Sequence, residues 1–244
     1  MEITSSFPAC AVVGRGRLGR ALAGALRSAG VPVDGPLGRG ATGGDADVVL
    51  LCVPDAEIAD AAAAIVPRAG RLVGHCSGAT TLGPLAPHEA FSLHPLMTVP
   101  AAGADFTGAP AAVAGATDRA RALAEGLATT LRMTPFAVAD DDRAAYHAAA
   151  TMASNYLVTL EWAAQRVGAV DRAVLAPLVR ATVDNWAAHG PHAALTGPIT
   201  RGDEATVARQ RDAVRRRAPE LIELFDALAD ATRTLATEAA EVPA

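Results

Sequence analysis

Apolar and polar positions alternate between two periods along the first 139 residues and settle into a single period after them. "ACAVVG" (9–14) is a short apolar run of the kind that forms a strand buried on both faces. The segment behind it places apolar residues at 18, 22, 25, 26 and 29, the spacing of one helix face. Similar units follow. "VPVDGPL" (31–37) predicts a second strand, "DVVLLCV" (47–53) the most evident buried one, and "AEIADAAAAIV" (56–66) a helix with Asp55 as its N-cap. "RLVGHCS" (71–77), "AFSLHPL" (90–96), "PAAVAG" (110–115) and "TPFAVA" (134–139) supply further strands, with a helix over 118–131. Between the second strand and Asp47 the chain is short and glycine-rich, with little room for the usual crossover helix.

From Asp140 onward the period is helical throughout. "DDDRAAYHAAATMASNYLVTLEWAAQRVG" carries acids at its start, an arginine near its end and a glycine stop. Further helices are predicted at 171–188, 203–217 and 219–238, with "HGPHAALTGPITRGD" as a long irregular connection and Asp203 as an N-cap. The predicted architecture is α/β: a Rossmann-like, mostly parallel sheet over residues 1–139, followed by an all-α domain over 140–244.

Composition narrows the function. Of 244 residues 51% are apolar but only 4% aromatic, which suits alanine-rich close-packed helices. Net charge is −5 and every one of the 21 basic residues is arginine, so neither a nucleic-acid footprint nor a polybasic membrane anchor is expected. Cys10, Cys52 and Cys76 sit in apolar segments without metal-ligand spacing and read as buried thiols, with no metal site. The opening "MEITSSFPAC" has no positive n-region followed by an apolar run, and a cytoplasmic protein is expected.

The turn between the first strand and helix is Gly14-Arg15-Gly16-Arg17-Leu18-Gly19. In that context a G-x-G-x-x-G motif signals dinucleotide binding: the first glycine for the tight turn, the second for close approach of a pyrophosphate, the third for helix packing. The helix N-terminus adds free N–H groups and partial positive charge. Asp34 falls inside the second strand, whereas Arg39 stands just beyond its end at Leu37, where a guanidinium can hold a 2′-phosphate. NADP is therefore expected over NAD. Val53 and Pro54, at the end of the third strand, are expected to line the nicotinamide side.

"HCSGATTL" (75–82) also lies at a carboxyl strand end, where open α/β sheets bind ligands. No G-x-S-x-G elbow surrounds Ser77, so a hydrolytic nucleophile is not expected. Cys76 is expected to point into the core, and His75 reads equally as structural or participating.

Taken together, "HCSGATTL", "SLHPL", "YHAAATMASNYL", "DNW" and "ALTGPITRGD" resemble a bacterial family with an NADP-oxidoreductase-type Rossmann-like domain and a C-terminal helical domain of unknown function. That family is similar to the 6-phosphogluconate dehydrogenase-like group, which includes ketopantoate reductase, pyrroline-5-carboxylate reductase and prephenate dehydrogenase. The resemblance implies a nicotinamide-dependent oxidoreductase, and a homodimer through the helical domain. Here the chain departs from the pattern in two places: Gln210 stands where a histidine is usual, and the region after the second strand is abbreviated.

Relatives such as ketopantoate reductase use a lysine on the first helix of the second domain, and this chain has no lysine. His147 is the natural substitute on that helix, with Thr151 and Asn155 at i+4 and i+8. Histidine exchanges a proton near neutral pH, and Asn155 suits a substrate carbonyl. His94 is the rival, since "HCS" and "LHP" resemble the strand-end serine and histidine of prephenate dehydrogenase, placing Ser77 and His94 beside the nicotinamide. Arg201 in "TGPITRGD" suits a substrate carboxylate, and Thr151, on the helix face of His147, is also expected on the substrate side. The expected activity is NADP-dependent oxidation or reduction of a small keto, imino or hydroxy acid between the domains. The alternative is a nucleotide-binding regulator or scaffold without turnover.

Overall fold

The computed structural model describes residues 7–241; the leading segment read as lacking a secretion signal lies partly outside them. Among the described residues, seven strands form one sheet in the order β2-β1-β3-β4-β5-β6-β7. They are β1 (Cys10–Val13), β2 (Val33–Leu37), β3 (Val48–Leu51), β4 (Leu72–His75), β5 (Glu89–Pro95), β6 (Pro110–Gly115) and β7 (Thr134–Ala137). Every neighbouring pair is parallel except β5 and β6. The mostly parallel sheet and the helical C-terminal region are those predicted.

Period-two alternation divides the core between the two sheet faces. Val12, Leu50, Phe91 and Leu93 face helices α1 (Arg17–Ser28) and α3 (Asp118–Thr130) through Leu22, Leu26 and Leu127. Val49, Leu51 and Val73 face the other side, against Ile58 of α2 (Ile58–Ala64) and Leu85. Burying such residues contributes roughly 1.5–3 kcal/mol each. Asp55 is not the predicted cap: a single 3₁₀ turn, Asp55–Glu57, starts directly after Pro54, and its side chain caps nothing.

No helix joins β2 to β3. The connection is held instead by Arg71, buried at 3% exposure. Its guanidinium donates to the carbonyls of Ala46 (3.0 Å), Val66 (2.7 Å), Thr42 (3.4 Å) and Gly44. One side chain thus satisfies the backbone acceptors that a crossover helix would have paired internally.

The chain divides into two compact units between Thr151 and Met152. The sheet's alternation ends near 139, as the sequence indicates, but α4 (Arg143–Thr151) stays with the first unit. Arg143, 2% exposed, anchors it: the guanidinium donates to Asp140 at 2.8 Å, to the Ser77 carbonyl at 3.4 Å and to the Ser92 hydroxyl.

The second unit contains α5 (Leu157–Gly168), α6 (Arg172–Ala194), α7 (Glu204–Arg217) and α8 (Ile222–Glu241). Ala163, Val214, Ala218 and Leu221 form its small core. Arg211 clamps Asp226 with two bonds of 2.7 and 2.6 Å, tying α7 to α8. Helix α6 runs six residues past the predicted 188, with a break at Gly190, whose φ is +76°. Among the described residues, α6 buries none of its own, and no helix is long and apolar enough to cross a membrane.

Candidate functional site

The order β2-β1-β3 reverses the direction of chain winding at β1, and the glycine turn sits at the carboxyl end of that strand, the place where such sheets open a crevice. The three glycines answer to different constraints. Gly14 has φ +123°, and a Cβ there would be driven into the Cys52 backbone. A Cβ on Gly19 would collide with the Gly14 carbonyl. Gly16 differs: among the described residues, nothing lies within 4 Å of where its Cβ would stand. The chain's own packing requires the first and third glycines, and the second keeps open space. Gly16 also leads into α1 without a side-chain cap, and the first turn of α1 carries no acid, so its N–H groups face that space unneutralised.

Two cavities meet there. The larger, about 650 Å³, runs from Gly14 and Arg15 past Leu37 to Arg39 and back to Val53 and Pro54. The smaller, about 410 Å³, is lined by Arg17, Leu18, Cys76 and Ser77. Gly16, Cys52, Val53 and Pro54 border both. At the outer end the Arg15 guanidinium lies over Gly38, and Arg39 pairs with Glu57 at 2.8 Å. Two guanidinium groups therefore flank the end of β2.

At the inner end the strand-end polar residues take distinct parts. His75 is buried; its Nδ1 accepts from the Ser77 N–H at 3.2 Å, and its Nε2 donates to the Thr81 carbonyl at 3.1 Å. Burial lowers its pKa, so it is a neutral structural histidine. The Ser77 hydroxyl accepts from the N–H groups of Ala79 and Thr80 and bonds the Thr80 hydroxyl at 3.0 Å, closing its own turn. Cys76 is buried, as expected, yet it borders the smaller cavity.

Gly78 makes room for two imidazoles. A Cβ there would lie 2.9 Å from His94 Cε1 and 3.1 Å from His147 Cδ2. The structure so brings together His94, from the end of β5, and His147, from α4, which sequence reasoning treated as rivals. Burial, with the nearby His147 and Arg143, pushes His94 down to about 4. Its Nδ1 shares a 2.7 Å hydrogen bond with Tyr146. Thr151 follows His147 by one turn of α4. The helical spacing does not carry on to Asn155, because Met152–Tyr156 is a turn of π-helix, a local widening frequent at functional sites.

Asn155 and Arg201 belong to the second unit, both exposed. Asp203 caps α7 as predicted, accepting from the Thr206 N–H at 3.0 Å. Gln210 borders an apolar cavity of about 370 Å³ with Ala163, Val214 and Phe225. Among the described residues no cluster of ligating side chains could hold a metal.

Arg143, Tyr146 and Gly78 were not singled out from sequence. A glycine directly after "HCS" was the one available signal; the two others look like ordinary helix residues until the strands meet α4.

Residues 109–232, just over half of the chain, match the family model described as a domain of unknown function, DUF2520. No curated protein matches the sequence. Among solved structures, the chain is similar to a Bacteroides fragilis protein named provisionally as an NADP oxidoreductase: 19% identity, 93% of this chain and 98% of that one, TM-score 0.80. Protein TM1727 of Thermotoga maritima is 21% identical over 94% of this chain and 98% of that one, with a TM-score of 0.76. A reductive aminase from Aspergillus terreus in complex with NADPH and ethyl levulinate is 19% identical over 95% and 98%, with a TM-score of 0.63. The fold is that of the Rossmann-like NAD(P) oxidoreductases, in keeping with the motif resemblance.

Proposed function

The chain belongs to the DUF2520 family, and from that premise and its strand-end geometry we propose that it is an NADP-dependent oxidoreductase acting on a small keto, imino or hydroxy acid. The observation that carries the reading is the unneeded glycine. Gly16 is not demanded by packing among the described residues, and it stands at an uncapped helix N-terminus where two cavities of about 650 and 410 Å³ share their lining. The residues fit the cofactor. Gly14, Gly16, Arg17, Leu18 and Gly19 would hold the pyrophosphate, Val53 and Pro54 the nicotinamide side, and Arg15 with Arg39 the 2′-phosphate. NADPH in the reductive aminase of like fold supports the same choice.

A bound dihydronicotinamide supplies a hydride to an electrophilic carbonyl or imine carbon. The chain must then supply a proton, and in the absence of lysine His147 is assigned that part. His94, held neutral by its surroundings, orients rather than donates, together with Tyr146. Ser77 is assigned to the cofactor side, where its turn shapes the smaller cavity. Asn155 is assigned to the substrate carbonyl, and Arg201 and Thr151 to the substrate's carboxylate side. The second reading, nucleotide binding without turnover, is favoured by one observation: the Ser77 hydroxyl is occupied by its own turn.

A homodimer through the helical unit belongs to the proposal. Val174, Leu178 and Trp186 of α6 are all more than half exposed, an apolar face that a second copy would cover. Sedimentation equilibrium tests it, with a monomer at micromolar concentration as the opposing result.

Calorimetric titration with NADPH and NADH tests the cofactor. Tight binding of NADPH alone, followed by consumption of the reduced cofactor with a keto or imino acid, is the expected result. Binding of NADPH with no turnover on any such acid selects the second reading, and binding of neither nucleotide rejects both.

A further inference from the structure

We propose that Cys52 and Cys76 form a redox-active dithiol, closed by a peroxide to an intramolecular disulfide that reshapes the wall of the cavity bordered by the glycine turn. The site itself does not depend on the nucleotide reading; its effect on cofactor binding does.

The register of β3 and β4 pairs Leu51 with His75, so the next residues, Cys52 and Cys76, face one another. The Cys76 N–H donates to the Leu51 carbonyl at 3.1 Å, continuing the ladder to that point. Both side chains belong to the same sheet face, and their sulfurs are 3.6 Å apart. Neighbouring strands lie about 4.8 Å apart, inside the Cα separation of about 4.4–6.8 Å that a disulfide spans. The backbone needs little change; side-chain rotation has to bring the sulfurs to about 2.05 Å.

Access and order follow from burial. Cys52 is part-exposed and both thiols border the smaller cavity, so a peroxide reaches them through the space assigned to the nicotinamide. The hydrogen bond with Cys52, and burial, hold the Cys76 thiol well above its ordinary range. Cys52, the more exposed of the two, is the first nucleophile. Its thiolate attacks a peroxide oxygen, the O–O bond breaks, and the departing hydroxide takes a proton to become water. The Cys76 sulfur then attacks the Cys52 sulfenic acid, the S–S bond forms, and hydroxide leaves with the Cys76 proton as a second water. Two thiols lose two electrons and one peroxide gains them. Cys10, buried and pushed up to about 12, is left as a thiol.

The link to the turn is steric. Gly14 packs on the Cys52 backbone, and the Cβ position of Gly19 is 3.2 Å from Cys52 Cβ. Rotation of the Cys52 side chain towards Cys76 leaves that backbone in place and moves the sulfurs along the wall of the smaller cavity, which Gly16 also borders.

The full chain is treated with hydrogen peroxide, quenched, alkylated after unfolding with and without dithiothreitol, and weighed. The expected product is lighter by about 2 Da before alkylation, takes up one alkyl group instead of three, and yields a cross-linked peptide pairing Cys52 with Cys76. Cys52→Ser or Cys76→Ser abolishes that product, and the peptide map decides for the native chain if either variant misfolds. NADPH affinity is expected to fall about tenfold or more on oxidation and to return with dithiothreitol. Retention of three thiols, gain of oxygen without a cross-link, or pairing through Cys10 overturns the site. Unchanged NADPH affinity in the cross-linked protein overturns the control. A cross-link in a protein that binds neither nucleotide when reduced rejects the cofactor reading and leaves the site standing.

Discussion

His94 Nδ1 and the Tyr146 hydroxyl share a 2.7 Å hydrogen bond, with the two rings edge to face at an interplanar angle of 86°. The imidazole is pushed down to about 4 and the phenol is pushed up, in both cases chiefly by burial, so neither partner is charged at neutral pH. The pair holds its geometry without an ion, and it does so beside His147, whose Cδ2 shares the Gly78 gap with His94.

His147→Ala is expected to lower kcat by about a hundredfold or more while leaving the Kd for NADPH unchanged, if His147 gives the proton. Tyr146→Phe removes only the hydrogen bond to His94 and is expected to cost roughly tenfold in kcat. Steady-state kinetics with calorimetry checks both; turnover that survives His147→Ala and His94→Ala together removes the assignment.

The low pKa of His94 has a consequence for stability. The unfolded chain takes up a proton near 6.5 and the folded chain only near 4, so acid favours unfolding between those values. The stabilisation is complete above about pH 6.5 and lost on falling to about pH 4, an effect of at most about 3 kcal/mol. His75, also lowered by burial, acts in the same direction. Urea midpoints at pH 7 and pH 4.5 should fall less with acid in His94→Gln than in the wild type. Parallel loss in the two would mean that His94 titrates normally.

Gly14→Ala and Gly16→Ala separate the two uses of glycine in one turn. The first puts a Cβ into the Cys52 carbonyl at φ +123° and is expected to destabilise by a few kcal/mol. The second meets nothing in the described chain, so Tm should hold while NADPH binding weakens about tenfold or more. Thermal melts beside calorimetry read both; unchanged NADPH affinity in Gly16→Ala would count against a pyrophosphate there.

Arg39→Ala should weaken NADPH far more than NADH, because only NADPH carries a 2′-phosphate for the guanidinium to meet. Glu57→Gln should act the opposite way on NADPH, by freeing Arg39 from its 2.8 Å partner. Equal losses for both nucleotides in Arg39→Ala would remove the phosphate assignment.

The sheet and the glycine turn were legible in the sequence because each rests on local signals: apolar runs, helical spacing and a motif in its proper context. The abbreviated β2–β3 connection was visible as missing length. What fills it was not, since Arg71 looks in sequence like any solvated arginine and is identified only by its four carbonyl partners, three of them more than twenty residues away in the chain. Arg143 was hidden for the same reason. The π-turn at Met152–Tyr156 was hidden because its residues read as ordinary helix, and Asp55 misled because the 3₁₀ turn placed Pro54 before it. Candidate histidines were found singly, but their meeting over Gly78 depends on a glycine that has meaning only once β5 and α4 are in place.

Arg71 also sets how this protein comes apart. A crossover helix opens residue by residue from its ends, whereas here the departure of Arg71 deprives the carbonyls of Thr42, Gly44 and Ala46 of their shared donor at once. Residues 38–46, the first of which form the outer rim of the larger crevice, are thereby expected to open together once Arg71 is displaced. Local unfolding there bares the Arg39 end of the crevice while the strands behind it stay paired, and amide exchange along that rim should share a single rate.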